Sequence, residues 1–421
     1  MSDASGSLEQ TDPLDLKPAN DPYGVLKNRD FLLYLIGRFI ASFGQQMLAV
    51  AVGWEIYERT NATMALGFVG LVQLIPMFLF TFPAGHVADN YNRKFVILWM
   101  QLVVAIACAG LAAVSFVQAP VMWMYACLFL FGGARTYLWA ASASFMPQLV
   151  ERHQFAKAVT WSSGSFQVSA VAGPAAGGAL IALTHTAKWV YVINVVASIL
   201  CALLIGMVRS HHKVAAKEPM SLQNVAAGLK FVYRTKIVLG SITLDLFAVL
   251  LGGASALLPV YARDILHVGP SGLGWLQGAL PMGSLLMSII LVHRPPLQKA
   301  GRTLLWAVVG FGLATIVFGI SKNFWLSFAM LFLCGATDYI SVVVRHTLVQ
   351  LLTPDEMRGR VSAVNSLFIG TSNQMGEFES GFVASYTSPL FAVVSGGVGT
   401  IIVVAIVAAL WPEIRKYGRL A

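Results

Sequence analysis

Long apolar runs, each about the length of a membrane span, alternate with short polar breaks along nearly the whole chain. A hydrocarbon core about 30 Å thick asks for roughly 20 apolar residues per helix and leaves no backbone polar group without an internal partner, so the pattern predicts helices. Twelve spans are expected, over 31–57, 65–87, 95–118, 121–148, 157–183, 188–208, 237–261, 270–292, 303–321, 324–350, 360–386 and 389–411. Residues 1–30 break the pattern. They are polar and rich in acids and prolines, lack the basic start and apolar core of a signal peptide, and read as a disordered cytosolic tail. The next long polar stretch, 209–236, is a cytosolic linker that separates six spans (31–208) from six (237–411); a second tail follows over 412–421. In the linker Leu222, Val225, Ala226, Leu229 and Val232 recur at helical spacing among Lys230 and Arg234, which predicts an amphipathic helix on the cytosolic surface.

Composition agrees. The chain is 57% hydrophobic and 11% charged, where a soluble domain carries about 25% charged residues. With the N-terminus inside, the outer loops carry only Arg59, Lys188, Arg263 and Lys322, and the remaining loop cations fall on the cytosolic side. This bias puts both termini in the cytosol. It also accounts for the net charge of +9 without nucleic acid, because the cations are spread over loops rather than gathered on one recognition element. Cys108, Cys127, Cys201 and Cys334 fall inside apolar spans with neither disulfide nor metal spacing. His211-His212 in the linker has no third ligand nearby, so no metal site is expected.

The two halves resemble each other in parallel. A shift of 202 residues lays Gly133-Ala134-Arg135-Thr136-Tyr137 on Gly335-Ala336-Thr337-Asp338-Tyr339 and Gln148-Leu149 on Gln350-Leu351. Six spans per repeat give both halves one orientation. That is the arrangement of two bundles about an axis along the membrane normal, with a substrate site between them.

Between the second and third spans lies Gly85-His86-Val87-Ala88-Asp89-Asn90-Tyr91-Asn92-Arg93-Lys94, a polar hairpin with the spacing G-x-x-x-D-x-x-x-R-K. Together with twelve spans, a central linker and a parallel repeat, it resembles the major facilitator superfamily. Gly132-Gly133-Ala134-Arg135, Phe145-Met146-Pro147-Gln148-Leu149-Val150 and Thr353-Pro354-Asp355-Glu356-Met357-Arg358-Gly359-Arg360-Val361 are similar to its drug- and siderophore-exporting branch, which includes macrolide efflux proteins and the enterobactin exporter. The resemblance implies an all-α membrane protein of two parallel six-helix bundles. It also implies a bacterial cytoplasmic membrane location, monomeric function and no cofactor beyond a proton gradient. Gly85, Asp89, Arg93 and Lys94, with Asp355, Arg358 and Arg360 opposite, are then a cytosolic gate. Asp89 would sit at the N-terminal end of the eleventh helix, and Arg93 would pair with Asp89 or another carboxylate. A loop that only sets topology is the alternative. The second half's equivalent, residues 293–302, keeps its cations but has no acid. In the fifth span Gly173-Pro174-Ala175-Ala176-Gly177-Gly178 resembles the end of the antiporter motif and predicts a kink with close packing, although Ser169 and Thr160 stand where the family has glycines.

Charges within the spans are the remaining chemistry. Each costs at least about 2.5–3.5 kcal/mol at mid-bilayer, so it faces a cavity or a partner. They are Arg38, Arg135, Asp245, Asp338, Arg345, Glu377 and Glu379. Asp338 and Glu377 are the first candidates for carrying a proton, then Asp245 and Glu379; Arg135, Arg38 and Arg345 are candidate partners. Fixed structural ion pairs are the competing reading. Asn365, Asn373 and Gln374 make the eleventh span wet, and Trp139, Trp161 and Phe166 could wall a cavity for a bulky amphiphile. No G-x-x-x-x-G-K-[ST] loop and no H-E-x-x-H occurs, so neither an ATP-driven pump nor a zinc peptidase is expected. The expected function is secondary transport of a small molecule, proton-coupled export first, with an importer or facilitator, or a non-transporting receptor, as alternatives.

Overall fold

The computed structural model describes residues 23–209, 222–294 and 298–418. His211, His212 and residues 295–297 of the second-half loop lie outside them, as does most of the expected first tail. Among the described residues there are twelve long helices. The first six are α1 (Arg29–Thr60), α2 (Thr63–Asn90), α3 (Arg93–Phe116), α4 (Val121–Leu149), α5 (Phe155–Thr184) and α6 (Lys188–Gly206). The second six are α7 (Lys236–Ile265), α8 (Gly269–Val292), α9 (Ala300–Ile320), α10 (Phe324–Leu352), α11 (Arg358–Tyr386) and α12 (Pro389–Leu410). A linker helix, Leu222–Arg234, stands between the halves. Eleven of the twelve are long and apolar enough to cross a membrane. The other, α11, is as long as its neighbours at 29 residues but is crowded with Asn, Gln, Ser and Glu.

Where the ends differ from expectation, local chemistry explains it. Asn28 caps α1, its Oδ1 accepting from Asp30 N at 3.0 Å and Phe31 N at 3.2 Å. Val25 just before it is fully buried in a short 3-10 turn. The tail expected through residue 30 is therefore too long, because residues 23–30 are folded onto the bundle. The hairpin expected over 85–94 shrinks to Tyr91 and Asn92. The α2 helix runs on through Asp89, and Asn92 caps α3 by accepting from Lys94 N at 3.1 Å. The regular part of α7 ends at Gly252, and the rest continues as a 3-10 turn, one short α turn and a π turn, Tyr261–Ile265. After α12, Pro412–Lys416 turns back as a short helix whose Ile414 is buried.

The two halves pack alike. In the first, Gly132 and Gly133 of α4 meet Pro76 and Phe80 of α2; in the second, Gly335 of α10 meets Leu280 of α8. Likewise Gly177 of α5 lies on Met47 of α1, and Gly376 of α11 on Val249 and Leu250 of α7. Without side chains these glycines let backbones approach closely, which is how membrane helices gain dispersion contact without a hydrophobic drive.

Contacts that join the halves gather toward one face. Call the face holding the linker helix the linker face and the opposite one the far face. Gly67 and Gly70 of α2 pack on Phe378 and Gln374 of α11, and Gly178 of α5 packs on Gly274 of α8. At mid-depth Gln167 Nε2 of α5 donates to the Pro281 carbonyl at 3.0 Å. One apolar cluster runs through the first half and into the far ends of the second, including Leu257, Leu273, Phe318 and Val393. The linker-face end of the second half has its own separate clusters, around Leu304 and Val364. Toward that face nothing lies within 4 Å of where a Cβ would stand on Gly164 of α5 or Gly359 of α11. The packing between the halves described here therefore runs from mid-depth to the far face.

Candidate functional site

Arg135 and Glu377 meet electrostatically across the two halves. Arg135 stands fourteen residues into α4, near mid-depth at 1.5 Å per residue. Its side chain is nonetheless exposed. An exposed guanidinium deep in its span and electrostatically linked to an acid of the other half faces the space between them. Glu377 of α11 is half-buried and sits over Gly70 of α2. A Cβ on Gly70 would stand 2.8 Å from the Glu377 Cβ and 3.2 Å from Oε2. The missing side chain makes room for the carboxylate at the seam. Beside it Gln374 has a buried Oε1 with no protein partner among the described residues. A cation and an acid held apart on separate rigid bodies can change their mutual energy when the bodies move, which a pair within one half cannot do.

The other membrane charges divide differently. Asp245 of α7 and Arg345 of α10 form a buried ion pair within the second half. Asp245 is thus engaged by a partner inside its own half. Asp338, a half-buried group two turns before Arg345, has neither an ion-pair partner nor a hydrogen-bond partner among the described residues. Arg38 lies near Tyr34 and Cys201, and no described carboxylate pairs with it. Glu379 is half-buried beside Ser380.

The loop residues are placed otherwise than expected. Arg93 does not reach Asp89. Its Nε donates to the Ala88 carbonyl at 3.0 Å and an NH to the Ser144 carbonyl at 3.4 Å. Lys94 Nζ donates to the Gly206 and Val208 carbonyls at 2.7 and 2.8 Å. The last carbonyls of a helix are unpaired and carry the negative end of its dipole, so both cations cap helix ends, α2 and α6, instead of pairing with acids. Arg358 pairs with Asp355 at 2.8 Å, one turn away in its own strand of chain. Gly85 is half-buried near the end of α2. The structure gives Arg360 to the linker helix, whose Gly228 rests on the Arg360 carbonyl.

In α5, Gly173 packs on Gln46 and Gly177 on Met47, both of α1, while Gly178 faces α8 of the other half. Pro174 lies within one unbroken helix. Of the cavity candidates, Trp139 shares the Arg135 face one turn on and is 72% exposed. Phe166 is exposed as well. Trp161 instead stacks on Tyr23 at 5.9 Å. Asn365 is buried at the linker-face end of α11, away from open space, and Asn373 bonds its own helix at the Ile369 carbonyl. The linker helix buries Gly228 and Val232 against α11, whereas Leu229, expected on the buried stripe, is 47% exposed. Reading the sequence missed Gly70, whose role depends on a neighbour three hundred residues away. It also missed Tyr57 and Asp264 at the far face, and took Arg263 only as an outer-loop cation.

Comparison with known proteins agrees with this architecture. A family model described as a transmembrane secretion effector matches residues 20–416. Curated proteins named enterobactin exporter EntS, from Citrobacter koseri and from Escherichia coli O1:K1 / APEC, are 24% identical over 388 residues, covering 92% of this chain and 93% of theirs. Among solved structures, a bacterial homologue of the human lysosomal transporter Spinster, inward-facing and occupied, superimposes with a TM-score of 0.71 at 15% identity, over 92% of this chain and 96% of that one. A POT family transporter in complex with 5-aminolevulinic acid gives 0.71 at 12% identity, over 92% and 97%. At these identities the solved structures speak to the fold alone.

Proposed function

The chain belongs to the transmembrane secretion effector family of the major facilitator superfamily, and on that premise we propose that it is a proton-coupled exporter in the bacterial inner membrane. It would carry a bulky amphiphilic solute, drug-like or siderophore-like, by alternating access. The loop cations support a cytosolic linker face with both termini inside. The state described here is then open to the cytosol, ready to load. The name of the curated relatives supports export and a siderophore-class cargo.

The observation that carries the proposal is the placement of Glu377 at the seam of the two halves, over Gly70 of α2 and toward Arg135 of α4. Solute entering from the cytosol takes its place beside Arg135, with Trp139 as an apolar wall, and Glu377 gives up its proton to that side. Rocking of the halves changes the distance between guanidinium and carboxyl, and with it the hold of Glu377 on a proton. Opening to the far face then releases solute and reloads the acid. Asp338, unpaired at similar depth, is the second proton carrier. One chain supplies both halves and the whole site, which supports a functional monomer driven by the proton gradient.

Proteoliposomes with an imposed pH gradient test this, using fluorescent drugs and catechol siderophores as cargo. Solute-linked proton movement is expected in the native protein, with loss of coupling in Glu377→Gln and a weaker effect in Asp338→Asn. Transport that ignores the gradient and survives both substitutions would make the protein a facilitator. Binding without counterflow would make it a receptor.

A further inference from the structure

Inside the first half, three helices bury polar side chains that protein groups leave unpaired. Glu55 of α1, Gln101 of α3 and Tyr191, Asn194 and Ser198 of α6 are each at most 4% exposed. Glu55 Oε2, Gln101 Nε2, Tyr191 Oη, both amide atoms of Asn194 and Ser198 Oγ have no hydrogen-bond partner among the described residues. Glu55 uses its other oxygen on Arg59. Positions 191, 194 and 198 share one face of α6, and buried Cys201 comes next on it. From Tyr191 to Cys201 this stripe is about 15 Å long.

The stripe meets α1 and α3. Asn194 lies against α1 at Gly44, where a Cβ would stand 2.6 Å from Oδ1. Tyr191 lies beside Glu55 of α1 and Cys108 of α3. Cys201 lies beside Arg38 of α1. Leu98 meets Gly206 and the Phe116 ring meets Trp189, so α3 runs antiparallel to α6 and Gln101 stands toward the linker-face end of the stripe. The unpaired atoms are thus strung out between the Glu55–Arg59 pair near the far face and Arg38 on the linker side. The second half shows that the fold does not require this. The shift of 202 residues lays Val393, Gly396 and Val403 on Tyr191, Asn194 and Cys201. Thr400, which falls on Ser198, has the Gly396 and Ala248 carbonyls in reach at 2.9 and 3.3 Å.

A buried polar atom left bare has lost its bonds to water and regained none. Each such loss is a sizeable fraction of a protein's net stability, and the six atoms here would cancel most of it. Buried polar groups that proteins keep are met by other protein groups or by ordered water. We infer that the interfaces of α6 with α1 and α3 hold a file of bound water, a site inside the first half that is separate from the cleft between the halves. Water suits this set of atoms. The Glu55 oxygen accepts, the Gln101 amide donates, and the hydroxyls and the Asn194 amide do both. A water molecule, with two hydrogens and two lone pairs, bridges such neighbours one turn apart. The file ties the Glu55–Arg59 pair to α3 and α6 by hydrogen bonds and belongs to one half alone, so it stands whether or not the protein exports.

X-ray radiolysis makes hydroxyl radicals from water in place, so it oxidises buried side chains that touch bound water. The full chain in lipid nanodiscs is irradiated and oxidation is read by mass spectrometry at Tyr191 and Tyr261. Both are fully buried, but the Tyr261 hydroxyl donates to the Gly319 carbonyl at 2.8 Å. Tyr191 should oxidise about tenfold faster than Tyr261 or more, because water touches only the first. Equal protection of the two would mean that the polar atoms pair directly with one another, and would overturn the file. Asn194→Leu with Ser198→Ala should bring Tyr191 down to the Tyr261 rate, and fast oxidation that persists in this folded variant would also count against it. Mixing with heavy-oxygen water just before the pulse separates bound from passing water. Heavy oxygen should appear at once on Tyr386, which is 76% exposed, and only after a delay on Tyr191. Uptake on Tyr191 as prompt as on Tyr386 would make the site an opening to bulk solvent and overturn the proposal. If the double variant fails to fold, the native comparison and the isotope delay decide by themselves.

Discussion

Arg345 of α10 is ion-paired with Asp245 of α7 inside the second half, and both side chains are buried. Their chain neighbours Leu244 and Val344 belong to a buried apolar cluster. Two charges withdrawn from water this way recover their desolvation cost only from each other, so the pair tolerates joint replacement better than the loss of one partner.

Asp245→Ala alone should therefore cost about 3–5 kcal/mol, because it leaves Arg345 charged in an apolar layer. Asp245→Leu with Arg345→Met should recover most of that in thermal unfolding of the purified protein. The double variant should retain solute-linked proton exchange. A folded double variant that has lost exchange would return Asp245 to the transport machinery.

The seam glycines separate cleanly by location. A Cβ at Gly70 would stand 2.6 Å from the Gln374 carbonyl, and one at Gly178 would stand 3.0 Å from Gly274 Cα. Gly70→Ala and Gly178→Ala should weaken the far-face closure and lower the midpoint of unfolding. Gly164→Ala meets open space and should be neutral or gain up to about 1 kcal/mol from helix propensity. Equal effects at all three positions would mean that the seams do not hold the halves together.

Arg93 and Asp89 should behave independently. Arg93→Ala removes bonds to the Ala88 and Ser144 carbonyls and should cost about 1–2 kcal/mol. Asp89→Ala should add to it without coupling, within about 0.5 kcal/mol, in a double-mutant cycle on thermal stability. A larger coupling energy would restore the direct Arg93–Asp89 pair.

At the end of the chain Glu413 faces Lys236 at 3.4 Å. A hydrogen bond from its own backbone N–H and the Lys236 ammonium hold its carboxyl below the usual range. A depressed acid contributes while ionised, so this tie is fully present above the ordinary carboxylate range and fades as pH falls through the lowered value. Hydrogen exchange in the last helical turn, Pro412–Lys416, should speed up over that acidic window. In Lys236→Gln the dependence should flatten.

Much of the architecture was legible along the chain because a bilayer tolerates few alternatives. Helix lengths, the linker and the parallel repeat all express local hydropathy, and α11 was recognised as a span despite its Asn, Gln and Glu by its length and position. The charge pairs were not legible. Asp338 and Arg345, seven residues apart, are too distant along the helix to pair, but nothing in the sequence names Asp245, a hundred residues away, as the partner of Arg345. Arg93 and Lys94 read as partners for acids, but the carbonyls at the ends of α2 and α6 lie closer.

By itself, the sequence determined that this chain crosses a membrane many times, where the linker divides it, and which few charges must find a partner or a cavity. Those are properties of composition and spacing, fixed by the cost of exposing polar groups to hydrocarbon. Only the tertiary structure decided that Glu377 lies toward Arg135 of the other half, that Gly70 clears the space between α2 and that acid, and that Arg263 and Asp264 both meet the end of α1 at Tyr57. Each of these depends on how helices rotate and approach, and that is set by packing between distant segments rather than by any local pattern.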